Sequence, residues 1–285
     1  MSRGFRVVEP GLLASVQDLG RPGYARLGVS RGGAADRGAL RLANRLVGNP
    51  EDAAGIEVTA GGFSGYAESP LLVAVTGALA PVHVDDRPAS TNAPLSLAAG
   101  ARLAIGRPTA GLRNYVAIAG GVTSEITLRS RSYSRLGGLG AALAPGDLVP
   151  IGTGASASPV VDHAAIPSPP VDATTLAALP GPRRHWFSDE AVAQLMATTY
   201  RVTAELDRTG IRLDGPAVPR CREEELPSEG MVRGAVQIPA SGRPIIFLSD
   251  HPATGGYPVP LVLTPDAADH AAQLTPGMTV RFALE

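Results

Sequence analysis

Short apolar runs, each closed by glycine or proline, recur along the whole chain. Residues 5–16 read as two short strands around Glu9-Pro10-Gly11. GIEV, LLVAVTG, VHV, LSL, RLAI and NYVAIAGG follow between Gly55 and Gly121. Branched, apolar runs of this length bounded by turn residues are the pattern of buried or half-buried strands. Tyr200–Leu206 alternates apolar and polar positions, as a strand with one wet face does. Ala235–Ile238 and Ile245–Leu248 read as buried strands joined by tight turns. Three stretches alone carry a helical pattern. Asp36 caps a helix to residue 47, with Leu40, Ala43, Leu46 and Val47 as its buried stripe, and Gly48-Asn49-Pro50 ends it. Ser188 caps a second, to residue 198, with Asp189 and Glu190 in the first turn where the helix dipole favours them. Thr264-Pro265-Asp266 opens a third, to residue 272. The expected fold is mainly β with a few short helices.

A small internal repeat organises these strands. Leu97-x-x-Gly100-x-x-Leu103-x-Ile105 recurs as Leu143-x-x-Gly146-x-x-Val149-x-Ile151 and as Leu274-x-x-Gly277-x-x-Val280-x-Phe282. Each copy is a glycine turn feeding a strand whose alternate residues share one face. The last copy closes the sequence, so the middle copy is expected to close a first domain, residues 1–151. Residues 152–174 are rich in Gly, Ser, Ala and Pro, as linkers are, and 175–285 form the second domain.

Composition then removes several kinds of chemistry. The formal net charge is −1, so no basic field draws the protein to nucleic acid or an anionic membrane. MSRGFRVVEP has no apolar signal core and no run approaches a membrane span, from which a cytoplasmic protein is expected. All 25 basic residues are arginine. Without a lysine the chain cannot carry covalent biotin, form a Schiff base or use a Walker-type phosphate lysine. Its five histidines show no metal-ligand spacing, and Cys221 is the only cysteine, so no metal site is expected.

What remains is a set of polar loops. In Pro227–Pro260, Gln237 lies inside one apolar run, Asp250 follows the next, and Thr254-Gly255-Gly256-Tyr257-Pro258 comes after. Paired glycines expose backbone N–H groups to a ligand, while the alternative is a hairpin whose polar residues tie down their own turns. Asp18 and Arg21 share a turn-rich loop, Arg113 and Asn114 precede a strand, and Leu128–Ser132 is a basic, hydroxyl-rich loop able to bind an anion. Arg208 and Arg212 flank a glycine turn and suit a carboxylate or phosphate; a structural Asp207–Arg208 turn network is the other reading. Glu57, alone in its strand, reads as an acid paired at a surface, and Glu223-Glu224-Glu225 as a solvated loop. Gly28-x-Ser30-x-Gly32 matches the nucleophile-elbow spacing but lacks the strand and helix that motif needs. Gly152-x-Gly154 is followed by prolines, not the helix of a dinucleotide site.

Taken together, GLLASVQDLGRPGY, GGAAD, RLANRLVGNP, DRTGIRLDG, SEGMVRGAVQIP and TGGYP resemble the biotin-dependent carboxyltransferase family, also called allophanate hydrolase subunit 2, which includes the 5-oxoprolinase C subunits. The matches run in order from Pro10 to the C-terminus. The resemblance implies two cyclophilin-like β-barrel domains and a component of an ATP-dependent 5-oxoprolinase, which opens 5-oxo-L-proline to glutamate. It implies a heteromer with the B subunit of that system, and with its A subunit, and ATP bound in the assembled complex. Two other activities belong to the family's range: a carboxyltransferase half acting on urea or another amide, and a non-catalytic partner of a kinase inhibitor. On the 5-oxoprolinase reading the catalytic pair is Asp250, as acid or base, and Tyr257, which with Gln237 and Thr254 is an orienting donor, while Gly255 and Gly256 bind the substrate through backbone N–H groups suited to the oxyanion. Arg208 or Arg212 holds the carboxylate, with Asp18, Arg21, Asp36 and Arg113 as further binding residues. The chain departs from the family at Ala35, at Thr209 and at His251-Pro252-Ala253, where an amide-and-hydroxyl pair is usual.

Overall fold

The computed structural model describes residues 3–153, 163–166, 169–222 and 224–285. It divides into two units. The first comprises Met1–Arg21 and Gly32–Pro169, and the second Pro22–Arg31 and Pro170–Glu285. Residues 154–162 and 167–168 of the expected linker, and Glu223 of the acidic loop, lie outside the described residues.

The first unit holds β1 (Gly4–Pro10), β2 (Leu13–Gln17), α1 (Arg37–Leu46), β3 (Gly55–Thr59), β4 (Phe63–Ala67), β5 (Leu71–Leu79), β6 (Val82–Val84), β7 (Arg87–Ala89), β8 (Pro94–Leu97), β9 (Arg102–Ile105), β10 (Ala110–Ile118) and β11 (Leu148–Pro150). They form a six-stranded sheet, β11-β1-β4-β9-β6-β7, and a five-stranded sheet, β2-β3-β10-β5-β8. One apolar cluster, including Phe5, Phe63, Ile56, Val73, Leu103 and Ile118, joins residues of both sheets. Each such side chain contributes about 1.5–3 kcal/mol by leaving water. A second cluster packs Leu40, Ala43 and Leu46 of α1 against Ala74, Tyr115 and Ala117 on β5 and β10.

The second unit holds β12 (Ala173–Pro180), α2 (Asp189–Ala197), β13 (Tyr200–Leu206), β14 (Gly210–Asp214), β15 (Glu229–Gly230), β16 (Ala235–Gln237), β17 (Ile245–Phe247), β18 (Thr254–Gly255), β19 (Leu261–Leu263), α3 (Pro265–Ala271) and β20 (Thr279–Leu284). Seven strands close a barrel in the order β12-β19-β16-β17-β14-β13-β20, while β15 and β18 pair separately. Closure leaves no open edge. β12 and β20 run parallel, Ala173 opposite Thr279 through Ala178 opposite Leu284.

The mainly β expectation holds, and the three α-helices stand where the pattern places them. Asp36, Ser188 and Thr264 each accept from the backbone N–H three residues on. In each copy of the repeat the glycine, Gly100, Gly146 or Gly277, has positive φ and feeds a strand, β9, β11 or β20. Residues 210–214, expected as part of a turn, are a barrel strand. The turn itself is limited to Asp207–Thr209, where the Asp207 carboxylate accepts from the Thr209 and Gly210 N–H groups.

Candidate functional site

In the first unit, a row of polar side chains crosses the five-stranded sheet. Ser15 stands opposite Glu57, Glu57 opposite Tyr115, and Tyr115 opposite Thr76. All four are buried. Alternate strand residues share a face, so Gln17 on β2 and Arg113 on β10 lie on the same face, one step to either side of this row. α1 and two loops cover it. Thr76 donates to the Ala39 carbonyl at 2.7 Å. Glu57 Oε2 accepts from the Tyr115 hydroxyl at 2.8 Å and from the Ala35 N–H at 2.9 Å. The Tyr115 hydroxyl in turn accepts from the Asp36 N–H at 2.7 Å. Arg113 Nε lies 3.8 Å from Glu57 Oε1. Burial, then the Glu57 and Asp36 carboxylates, push the Tyr115 hydroxyl well above its ordinary range. It is a fixed proton donor at neutral pH. Glu57 is therefore not an acid paired at a surface: it is 1% exposed and anchors the loop that enters α1.

Asp18 and Arg21 belong to the loop beside it. Gly33, at φ +87°, lets that loop approach: a Cβ there would stand 2.6 Å from Gly20 N. Ala34 N–H donates to the Asp18 carbonyl at 2.8 Å. The Asp18 carboxylate accepts from Gly20 N and Arg131 N, each at 2.7 Å, from Ser130 Oγ at 2.7 Å and from Ser132 Oγ at 2.5 Å. The anion held by the basic, hydroxyl-rich loop is thus the protein's own. Arg21 donates to the Ser132 carbonyl. With four donors on one carboxylate, Asp18 is a clamp between two loops, not a ligand for substrate. Asp36 is likewise committed, as the cap of α1, its Oδ1 2.8 Å from Ala39 N.

In the second unit, the expected residues fall into three places. Asp250 N–H donates to the Arg208 carbonyl and Leu248 N–H to the Thr209 carbonyl, both at 2.9 Å. Past Thr209 and Leu248 the β14–β17 register slips by one residue, which brings Arg208 beside Asp250. Their side chains meet in a buried two-point ion pair, Nε to Oδ2 at 2.9 Å and a terminal nitrogen to Oδ1 at 3.1 Å. Asp250 is 2% exposed and both oxygens face Arg208, so neither residue serves as a free acid, base or carboxylate clamp. Arg212, farther along on β14, is exposed and pairs with Glu205 at 2.9 Å. It lines a surface groove of about 440 Å³ with Leu206, Thr209, Ile245 and Phe247.

The third place brings Gln237, Thr254, Gly255, Gly256 and Tyr257 together. Gln237 ends β16 and is 4% exposed. Its Nε2 donates to the Tyr257 carbonyl at 3.2 Å and lies against Gly255, where a Cβ would come within 2.8 Å of it. Glu229 and Gly230 pair with Gly255 and Thr254, and Arg183 holds the Glu229 carboxylate. Thr254, Gly256 and Tyr257 are exposed, and Arg220 lies 5.9 Å over the Tyr257 ring. This is a fixed amide beside an accessible glycine loop and phenol, which suits recognition of a small polar amide. Among the described residues, no group of three or more His, Cys, Asp or Glu side chains is placed to hold a metal ion. Nor is any described helix long and apolar enough to cross a membrane.

The buried row of Ser15, Glu57, Tyr115 and Thr76 was not expected as a group. Its signal is present in the strands: polar residues set into runs that are otherwise apolar, at alternate positions in β2 and β3. Register, which a single sequence does not print, is what aligns them.

The family model for the carboxyltransferase domain, subdomain A and B, matches residues 27–284. The chain is 34% identical over 282 residues to the C subunit of 5-oxoprolinase from Escherichia coli (strain K12), covering 98% of this chain and 90% of that one. It is 30% identical to the urea amidolyase of Lachancea kluyveri, covering 98% of this chain but 17% of that protein. Among solved structures it superposes on TTHA0988 with TM-score 0.88 and 33% identity, over 99% of this chain and 55% of that one. The K. lactis urea amidolyase superposes with TM-score 0.90 at 28% identity, over 99% and 18%. The chain thus spans about half of the TTHA0988 polypeptide.

Proposed function

The chain belongs to the carboxyltransferase domain family, subdomain A and B, and we propose that within it the protein is the C subunit of an ATP-dependent 5-oxoprolinase. The end-to-end likeness to a 5-oxoprolinase C subunit carries the reading. The reaction takes 5-oxo-L-proline, ATP and water to L-glutamate, ADP and phosphate. Opening a lactam requires its carbonyl to be activated and the negative charge developing on its oxygen to be stabilised. The Gly255 N–H belongs to the β15–β18 pairing; the backbone N–H of the exposed Gly256 is suited to that charge. Tyr257 and Thr254 stand beside them as hydroxyl donors. Asp250 and Arg208 act at one remove, by fixing the turn from which this loop departs.

This chain has no lysine for nucleotide phosphates, and we propose that ATP binds in a complex with the B and A subunits of the same system. The isolated chain is then inactive. The test is ATP-dependent release of glutamate from 5-oxoproline by the chain alone and after co-purification with the polypeptides encoded beside it. Turnover only in the co-purified fraction is expected. Full turnover by the chain alone would overturn the need for the B and A subunits. ATP-dependent carboxylation of urea, with a biotinylated carrier supplied, in place of lactam opening would overturn the substrate and favour the carboxyltransferase reading that the urea amidolyase relatives represent.

A further inference from the structure

The proposed substrate carries a carboxylate, and the two arginines that the residue pattern offers for it are engaged elsewhere. Arg208 is closed onto Asp250, and Arg212 pairs with Glu205 on β13. A third arginine stands at the glycine loop. The Arg220 guanidinium carbon lies 5.9 Å over the centre of the Tyr257 ring. Both ends of this stack are tied down within the second unit. On one side Val218 N–H donates to the Gly242 carbonyl and Cys221 N–H to the Trp186 carbonyl, each at 2.9 Å, with Pro219 between them. On the other, the Tyr257 carbonyl accepts from Gln237 Nε2, and the Pro258 carbonyl from Ile238 N–H at 3.0 Å. The segment that carries Arg220 then runs on beside the loop: a Cβ on Gly256 would stand 3.5 Å from the Leu226 carbonyl oxygen.

Other arginines of these segments hold the protein's own acids. Arg183 holds Glu229, Arg184 holds Asp189, and Arg222 holds Glu224. Arg220 is half-buried, and among the described residues its partner is the Tyr257 ring. A guanidinium laid over an aromatic face keeps its in-plane N–H fork for a planar anion. We infer that Arg220, seated on Tyr257, binds the carboxylate of 5-oxo-L-proline and makes the site select acidic lactams over neutral ones. The inference rests on the 5-oxoprolinase reading. In that molecule the lactam carbonyl and the carboxylate are borne by the two carbons that flank the ring nitrogen. A site that takes the carbonyl oxygen at Gly256 N–H therefore needs its cation close to that glycine. Tyr257 is the next residue, and Arg220 covers its ring.

The experiment compares 5-oxo-L-proline with its carboxamide, which keeps the lactam ring and the shape of the side group but has no charge, on the enzyme assembled with the B and A subunits. For the wild type, the inhibition constant of the carboxamide is expected to exceed the KM for 5-oxoproline by about tenfold or more, the worth of a charge-assisted pair. Arg220→Gln should raise that KM by about the same factor with kcat little changed, and leave the carboxamide's inhibition constant where it was, so that the gap closes. Arg220→Lys, which keeps the charge without the planar fork, should give an intermediate gap, and it serves by itself should the glutamine variant not fold. A purely structural role would shift both compounds alike. An undiminished gap in Arg220→Gln, or equal binding of the two compounds by the wild type, would overturn the inference alone. Failure of a folded Arg220→Gln chain to co-purify with the B and A subunits would assign the side chain to a subunit interface and overturn it too. No turnover of 5-oxoproline by the wild-type assembly would overturn the proposed function and this inference with it.

Discussion

At the scale of single residues, Tyr115 and Asp250 show how burial changes the meaning of a polar side chain. Tyr115→Phe removes the donor to Glu57 and the acceptor for Asp36 N–H. The loss should be about 1–3 kcal/mol at pH 7, the cost of leaving buried partners unpaired. The pKa of the folded phenol lies above its unfolded value near 10. The folded state therefore keeps a proton that the unfolded chain gives up. This contribution is complete below about pH 10 and falls as pH rises through the folded value. Denaturant melts at pH 7 and above pH 10 should show the gap between wild type and Tyr115→Phe narrowing with pH; a constant gap would contradict the assignment. Asp250→Asn strands the Arg208 guanidinium in the interior and should cost about 3–5 kcal/mol, whereas replacing both by apolar residues should cost much less. A double-mutant cycle measures this, and near-additive losses would mean that the pair is not coupled. Neither outcome was legible in the sequence. Asp250 and Glu57 each look like candidate chemistry or surface charge until a partner 42 or 56 positions away is set against it.

At the scale of elements, much more was legible, because strands and helices are decided locally. The caps at Asp36, Ser188 and Thr264 and the glycine-to-strand repeat all formed as read. The strands that were missed have physical excuses. Arg87-Pro88-Ala89 contains proline, tolerated because β7 lies at a sheet edge. β4 runs Phe63-Ser64-Gly65-Tyr66-Ala67, and its central residue has no side chain to read because the Phe5 ring fills that space. One turn formed against its sequence. Leu128 and Arg129 both hold positive φ between the bridged Thr127 and Ser130, a two-residue geometry that favours Asn-Gly. Left-handed backbone costs about 1–2 kcal/mol per ordinary residue. Leu128→Asn with Arg129→Gly should therefore stabilise the protein by about 1–2 kcal/mol, read as a raised melting midpoint. A lowered midpoint would show that the two side chains hold the Ser130–Ser132 clamp on Asp18 in some further way.

At the scale of the whole molecule, the closed barrel of the second unit has a consequence for how the protein is handled. Because β12 and β20 run parallel, Leu284 finishes level with Ala178, and Glu285 N–H is held by the Ala178 carbonyl at 3.1 Å. Ala178 is opposite Leu263, Pro180 opposite Leu261, and Leu261 opposite Val236, the neighbour of Gln237. The carboxyl terminus leaves the barrel at the pole that carries Gln237, a few residue levels below it. A purification tag or reporter domain fused behind Glu285 grows out beside the glycine loop. Such a fusion is expected to lower turnover by the assembled enzyme, and proteolytic removal of the appended domain to restore it. Identical rates before and after cleavage would place the working surface elsewhere on the barrel.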